Sequence, residues 1–266
     1  MLKFWLEYLL ILTCWGISQA RAADCLTDKA ATTGERRVLI LEGVEYPFRW
    51  CPAGSFHMGS PDTEPDRDSS EILHEVTLTR GFWILETEVT QEMYQSVCGS
   101  NPAQFVGPRK PVDSVGWSDA MAFCQKFQEK AGLNGIQCSL PTEAQWEYAC
   151  RAGTTGPRPD DLEKIAWMGE ITAEGSTHDV ATKSPNAWGI YDMIGNLWEW
   201  CADWYGNYSG NAETDPTGPA ESKGKIRVDR GGCWDSKPYE CRSAYRGFYD
   251  DSRKGPFVGF RFVLVP

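Results

Sequence analysis

Apolar positions along the chain fall into short runs of two different periods. Val38 to Trp50 and then Pro52 to Ser60 are rich in β-branched and aromatic residues broken by glycine, which predicts a strand, a turn and a second strand. Glu75 to Thr79 alternates as a strand should, and Gly81 to Val89 continues the sheet. The period then lengthens. Thr90 is placed to cap a short helix with Met93, Tyr94, Val97 and Cys98 on one face, stopped by Gly99. Ser118 is placed to cap a second, in which Ala120, Phe123, Cys124 and Phe127 recur at helical spacing until Gly132. Thr142 and Gln145 have capping-box spacing and open a third, which ends near Gly153. These faces read as core. Arg227 to Trp234 and Gly259 to Val265 are strand-like and close the chain.

The segments between carry less pattern. Asp62 to Glu71 holds five carboxylates and reads as a solvated loop. Thr154 to Ser184 is long and irregular, and Gly206 to Lys225 contains the turn sequence Asp215-Pro-Thr-Gly-Pro219. Between these two loops, Pro185 to Tyr205 concentrates four of the twelve tryptophans around Asp192, Glu199 and Asp203. Rings with polar edges packed this densely fix the backbone around the acids. No internal repeat is visible, and one α+β domain with few helices follows.

At the N-terminus Lys3, an apolar run to Ile17 and Ala20-Arg-Ala22 have the three-part order of a secretory leader. Residues 1–22 are expected to be removed after Ala22, residues 23–37 to form a linker and residues 38–266 the domain. The run is too short to span a bilayer, so no transmembrane segment is expected in the mature chain, which would be exported, periplasmic or secreted.

Composition narrows the partners. The chain has 266 residues with 26 glycines and 16 prolines, as a turn-rich fold requires, and a formal charge of −11. No basic stripe offsets that charge, which argues against nucleic acid and favours cationic ligands or divalent metals. Of ten cysteines, Cys14 would leave with the leader. The remaining Cys25, Cys51, Cys98, Cys124, Cys138, Cys150, Cys201, Cys233 and Cys241 are an odd set in an oxidising compartment, where several should pair. No CxxC spacing occurs and the three histidines are scattered, so structural zinc is not indicated.

The ordered blocks Pro52-Ala-Gly-Ser-Phe-His-Met-Gly-Ser60, Glu88-Val-Thr90, Pro111-Val112, Trp117-Ser-Asp-Ala120, Leu140-Pro-Thr-Glu-Ala-Gln-Trp-Glu-Tyr-Ala-Cys150, Pro185 to Tyr205, Arg230-Gly-Gly232 and Gly259-Phe-Arg261 resemble the sulfatase-modifying-factor family, whose namesake is the formylglycine-generating enzyme. The resemblance implies an irregular α+β fold related to C-type lectins, with little regular secondary structure. It also implies a calcium site at Asp192, Gly195, Leu197 and Glu199, two of them through backbone carbonyls. Such oxygen ligands suit calcium. The alternative is that Asp192 and Glu199 cap turns or pair with arginines.

In the namesake enzymes a cysteine pair binds copper(I) and uses oxygen to convert a substrate-protein cysteine to formylglycine. Here the first matching position is Ser236, a hard oxygen in place of a soft sulfur, so copper is not expected. The second, by counting, is Cys241. Its context instead matches a later cysteine of the family, and the resemblance then implies a Cys150–Cys241 disulfide. The family partner of Cys124 falls at Phe262, leaving Cys124 free or re-paired, with Cys138 one option. A displaced Cys233 and Cys241 pair would be the only copper set left. The iron-dependent relatives need a histidine facial site for which His57, His74 and His178 offer no equivalent. Asn207-Tyr-Ser209 fits a glycosylation sequon, a pattern too short to decide anything.

Three functions remain open at this point. One is a divergent protein- or peptide-modifying or maturation factor, with Ser236, Cys233, Cys241, Trp198 and Arg242 as candidate catalytic residues. A second is a lectin-like binding module that uses the loop Trp234 to Phe257. The third is a true copper oxidase of the formylglycine-generating type.

Overall fold

The computed structural model describes residues 26, 32–171, 175–222 and 224–266. The expected leader, Cys14 and Cys25 lie outside these residues. A five-stranded sheet runs in the order β1 (Arg36–Leu41), β2 (Val44–Cys51), β5 (Phe82–Leu85), β14 (Val263–Val265), β6 (Gln137–Ser139). The run from Val38 to Trp50 is thus a hairpin of two strands. Its turn is Glu42-Gly43, both at positive φ of 53° and 83°, the geometry that matches strand twist in a two-residue hairpin. The last strand, β14, lies antiparallel between β5 and β6 and so ties the end of the chain to its first third.

Two helices cover this sheet. α1 (Gln91–Cys98) begins where the Met93 amide donates to Thr90 Oγ1, and it ends on left-handed Gly99. α2 (Trp117–Ala131) starts one residue before the predicted cap: Gly116 takes that position, and its amide donates to Asp119 Oδ2 at 2.9 Å. Between helices and sheet lie Phe48, Phe123, Phe127, Phe260 and Phe262, all fully buried. The Phe262 ring stands 5.6 Å from Phe123 and 4.8 Å from Phe127, so aromatic packing occupies the place where the resemblance puts a disulfide partner for Cys124.

A second core forms around α3 (Glu143–Arg151). Thr142 Oγ1 accepts from the Gln145 amide and the Gln145 side chain accepts from Thr142 N–H, the reciprocal cap that the sequence predicts. α3 packs against the four-stranded sheet β12 (Arg246–Asp250), β11 (Ile226–Arg230), β9 (Trp198–Trp204), β13 (Val258–Gly259). It also packs against the three-stranded sheet β10 (Glu213–Thr214), β4 (His74–Leu78), β3 (Gly54–Met58). A one-turn helix α4 (Leu162–Ile165) leads into the small parallel pair β7 (Ala166–Trp167) and β8 (Ile194–Gly195).

The acidic loop Asp62 to Glu71 departs from its reading as solvated. Glu64 and Glu71 are buried and receive the Arg242 guanidinium at 2.7 Å and 2.6 Å. A charged side chain leaves water when its partner offers two or more charge-assisted bonds, and Arg242 does so here.

Trp117 at the start of α2 and Trp204 on β9 enclose Arg227 of β11, whose guanidinium lies between the two indoles. Next to it on β11 is Asp229, fully buried, with neither carboxyl oxygen hydrogen-bonded among the described residues. Burial pushes its carboxyl up to about 8, with Arg253 pulling only partly back.

Two predictions follow from packing and burial. The native state keeps a proton on Asp229 that the unfolded chain releases near pH 4, so its contribution to stability is present below that pH and lost as pH rises to about 8. The melting temperature should fall between about pH 5 and 8, and Asp229→Asn should flatten that slope; an unchanged slope would contradict a buried neutral acid. Separately, Gly43 and Gly195 share positive φ, but a Cβ on Gly43 meets nothing while one on Gly195 comes within 2.3 Å of the Trp167 carbonyl. Gly43→Ala should cost about 1 kcal/mol and Gly195→Ala at least ~3 kcal/mol in denaturant unfolding, and equal costs would refute the close approach.

Candidate functional site

The dense stretch Pro185 to Tyr205 folds as a turn, the short strand β8, a second turn and the buried strand β9. Asp192, Gly195 and Asn196 all have positive φ, which curls the backbone tightly before β9 begins. The Gly195 amide donates to the Gly231 carbonyl and the Asn196 amide to the Trp167 carbonyl, so this turn is clamped between β7 and the start of the Arg230-Gly-Gly232 block.

All four positions of the implied calcium set, Asp192, Gly195, Leu197 and Glu199, are buried between the turn before β8 and the start of β9. The side chains also make the pairings of the alternative reading. Glu199 takes Arg261 in a two-point ion pair, Nε to Oε2 at 2.7 Å and an outer nitrogen to Oε1 at 2.7 Å, and Oε2 also accepts from the Trp146 indole at 2.9 Å. Asp192 Oδ2 accepts from the Ala181 amide at 2.7 Å.

Beside them stands an acid that the sequence reading did not single out. Glu88 is fully buried; its Oε2 takes the Asn196 amide at 3.3 Å, and its Oε1 has no partner among the described residues. Burial and then the neighbouring Asp192 and Glu199 hold the Glu88 carboxyl well above the usual carboxylate range, and burial lifts Asp192 to about 6. Three carboxyl groups therefore share one guanidinium. The signal for Glu88 was an acid in an apolar run, Phe82-Trp-Ile-Leu-Glu-Thr-Glu-Val89, where a solvated side chain has no natural exit.

The five candidate catalytic residues separate into two groups. Ser236, Cys233 and Cys241 are brought together. Ser236 Oγ accepts from the Cys233 amide at 3.0 Å and lies 3.7 Å from its sulfur, while Cys241 Sγ packs against Gly232, where a Cβ would come within 2.9 Å of it. Burial pushes the thiols of Cys233 and Cys241 up to about 11 and 12. Trp198 instead packs on Tyr245, with ring centroids 5.8 Å apart, and Arg242 turns to Glu64 and Glu71. Trp198 and Arg242 thus both lie against the Tyr245 ring, while Ser236 is bonded within its own turn. Four cavities, beside Tyr208, α2, Tyr148 and Thr142, are lined by other side chains.

The structure does not form the Cys150–Cys241 disulfide: both residues are free thiols. The side chain opposite Cys150 is Ser243, Oγ to Sγ 3.6 Å, two residues beyond the expected partner. Cys241 is drawn away by the turn Lys237 to Cys241, in which the Glu240 amide donates to the Lys237 carbonyl and the Cys241 amide to that of Pro238. Cys124 and Cys138, the other option, lie within hydrogen-bonding reach of each other, and burial followed by this contact raises the Cys138 thiol.

The outer side of the loop from Trp234 to Phe257 is aromatic. Trp234 stacks on Phe257 at 5.1 Å and takes the edge of Phe105 at 5.5 Å, and its indole donates to the Pro256 carbonyl. Val106, next to Phe105, is 78% exposed, and Tyr239 is 41% exposed.

Comparison with known proteins agrees with this fold and qualifies its chemistry. Chaperone protein LppX of Paenibacillus barcinonensis is 28% identical across 98% of this chain and 99% of its own length. The formylglycine-generating enzyme of Streptomyces coelicolor is 35% identical, but over 58% of this chain and 52% of its own, so the chain spans about half of that enzyme. Among solved structures, Treponema denticola variable protein 1 superposes with a TM-score of 0.80 at 29% identity, covering 87% of this chain and 99% of that one. Residues 48–265 match the model of the sulfatase-modifying factor enzyme 1-like domain, and the chain belongs to that family.

Proposed function

We propose that this chain is an exported maturation factor that works by holding a protein or peptide against the Trp234 to Phe257 face, without copper oxidase chemistry. The observation that carries this reading is the state of the candidate catalytic groups. Arg242 is saturated by two glutamates, Ser236 is spent on the Cys233 amide, and both neighbouring sulfurs are buried thiols. The copper set does not fit these residues. A cuprous ion needs two thiolates, and here an oxygen holds the first position while burial keeps the sulfurs protonated.

The adjacent surface has the opposite character. The stacked Trp234 and Phe257 with Phe105 edge-on, and exposed Val106 and Tyr239, offer rigid contact area at little entropic cost. The relative matched over nearly its whole length bears the name chaperone, a role of holding another protein, which supports the same reading. The partner suited to this face is an exported chain presenting apolar side chains.

Calcium is the second part of the proposal. Of Glu88, Asp192 and Glu199 only Glu199 is hydrogen-bonded to the Arg261 guanidinium through its carboxylate, and the unpartnered Glu88 Oε1 is the kind of donor a hard cation takes. Among the described residues Glu199 Oε1 accepts from Arg261 alone and keeps a lone pair, so the ion pair and a cation are compatible. Asp192, Glu199 and the carbonyls of Gly195 and Leu197 would hold the ion, which supplies charge balance and rigidity.

Four measurements test this proposal. Tyr239→Ser with Val106→Ser should leave the melting temperature within about 2 °C yet reduce recovery of the native partner from the exported fraction at least tenfold, since surface changes cost little stability. Unchanged recovery would remove the docking face. Oxygen consumption with cuprous ion and a cysteine peptide should be absent, and turnover lost in Cys233→Ser would restore the oxidase. Calcium should raise the melting temperature by mass action, and Asp192→Asn should abolish the rise; a rise retained in that variant would place the ion elsewhere. N-terminal sequencing of exported protein should begin at Ala23.

A further inference from the structure

A cavity of about 390 Å³ opens between β4, the end of β9, the start of α3 and the segment Gly206 to Pro219. That size lies at the lower end of small-ligand sites. Its wall is closed by Pro216 to Pro219, whose Gly218 passes so near Asp203 that a Cβ there would stand 3.0 Å from the aspartate Cβ.

The buried polar groups of this cavity include several acceptors. Arg246, the only lysine or arginine in the lining, is committed to the protein: Nε and an outer nitrogen go to Glu143 at 2.7 Å and 2.8 Å, and the other outer nitrogen to the Gly206 carbonyl at 2.9 Å. Its charge is balanced by Glu143. His74 is buried, and its Nδ1 donates to the Ile72 carbonyl at 2.8 Å, which leaves Nε2 as an acceptor. The Tyr208 ring lies tilted against His74, centroids 4.8 Å apart, and its hydroxyl is turned toward Glu143 without a well-formed hydrogen bond. Asp203 is 4% exposed and accepts one amide, that of Glu143, on Oδ2. Met58, Trp204, Pro216 and Pro219 supply apolar wall.

The geometry points to this cavity as a binding site for a primary alkylammonium, with Asp203 as the anchoring carboxylate, Tyr208 beside the stem and His74 as a second acceptor. An ammonium brings three donors and a positive charge to a lining that holds Asp203, Glu213 and Asp215 besides the Arg246-paired Glu143, and its alkyl stem matches the apolar wall. The net charge of −11 favours the approach of cations. A free diamine and a lysine side chain share this chemistry.

Binding is tied to the ionisation of Asp203. Burial and then Glu143 raise its carboxyl to about 7, against the pull of Arg246. Arg227 and the Cys201 thiol face it from the sheet, and Glu213 and Asp215 line the far side of the cavity. An ammonium ligand is charged throughout the neutral range, so affinity follows the aspartate and rises with pH.

Calorimetric titration of the full chain with 1,5-diaminopentane and, separately, with Nα-acetyl-lysine methylamide tests the site. Affinity for at least one probe should rise about thirtyfold from about pH 5.5 to 8.5, as a carboxyl titrating near 7 requires. Asp203→Asn, which keeps an acceptor for the Glu143 amide, should weaken binding at least tenfold at the upper pH and remove the pH dependence. Thr217→Trp, a substitution at an exposed lining position, should block the cavity even if the aspartate variant does not fold. The probe that binds tighter identifies the source of the amine. No saturable binding of either probe in the millimolar range, equal binding of 1,5-pentanediol, or unchanged affinity in Thr217→Trp would overturn the assignment.

Discussion

The ion pair between Arg261 and Glu199 is the interaction on which most of this architecture depends. Both side chains are fully buried, and the guanidinium also reaches the carbonyls of Leu85, Tyr191 and Asp192 at 3.3, 2.9 and 3.1 Å. One residue near the end of the chain therefore holds β5, the turn before β8 and the start of β9 in fixed relation. A buried charge is tolerated only when its pairing is complete, and breaking such a pair typically costs 3–5 kcal/mol because the survivor is left without compensation. Short strands give few ladder bonds, so these charged contacts fix geometry that a longer sheet would fix by register.

The same device recurs. Arg230 joins Glu147 on α3 to the carbonyls of Ser243 and Tyr245, Arg246 joins β12 to Glu143 at the head of α3, and Arg242 joins the loop after Gly232 to the acidic loop between β3 and β4. Every one of these links crosses more than 80 residues of sequence on its carboxylate side. The irregular segments are loops only in the sense that they lack ladders; their positions are set by guanidinium groups.

Local signals in the sequence survived the comparison with the structure, and long-range ones did not. Thr90, Gly99 and the Thr142–Gln145 pair act within one helical turn, and each stands where spacing puts it. The Glu42-Gly43 hairpin escaped notice because a glutamate at positive φ has no strong turn signature. Glu64 and Glu71 read as solvent-facing because the residue that buries them, Arg242, lies 171 positions or more further on. Family resemblance located the turn from Asp192 to Glu199, but Glu88 enters that cluster from another strand region and only the folded chain shows it. The disulfide expectation failed on a two-residue offset, since Ser243 and not Cys241 faces Cys150.

These observations explain how the fold can persist while its chemistry changes. Arg230 anchors one end of the segment from Gly231 to Cys241 and Arg242 the other, and neither anchor uses a side chain from between them except through the backbone. Gly231 and Gly232 take positive φ, so the chain turns there whatever follows. Replacing a sulfur by the Ser236 hydroxyl leaves every anchoring contact intact and even adds one, the bond from the Cys233 amide. Stability thus places little constraint on the residues that would carry a reaction. The aromatic residues beyond them are constrained differently, because Trp234 and Phe257 stack on each other and hold the outer face rigid. A scaffold built this way tolerates substitution around Gly232 more readily than within the stacked face of Trp234 and Phe257.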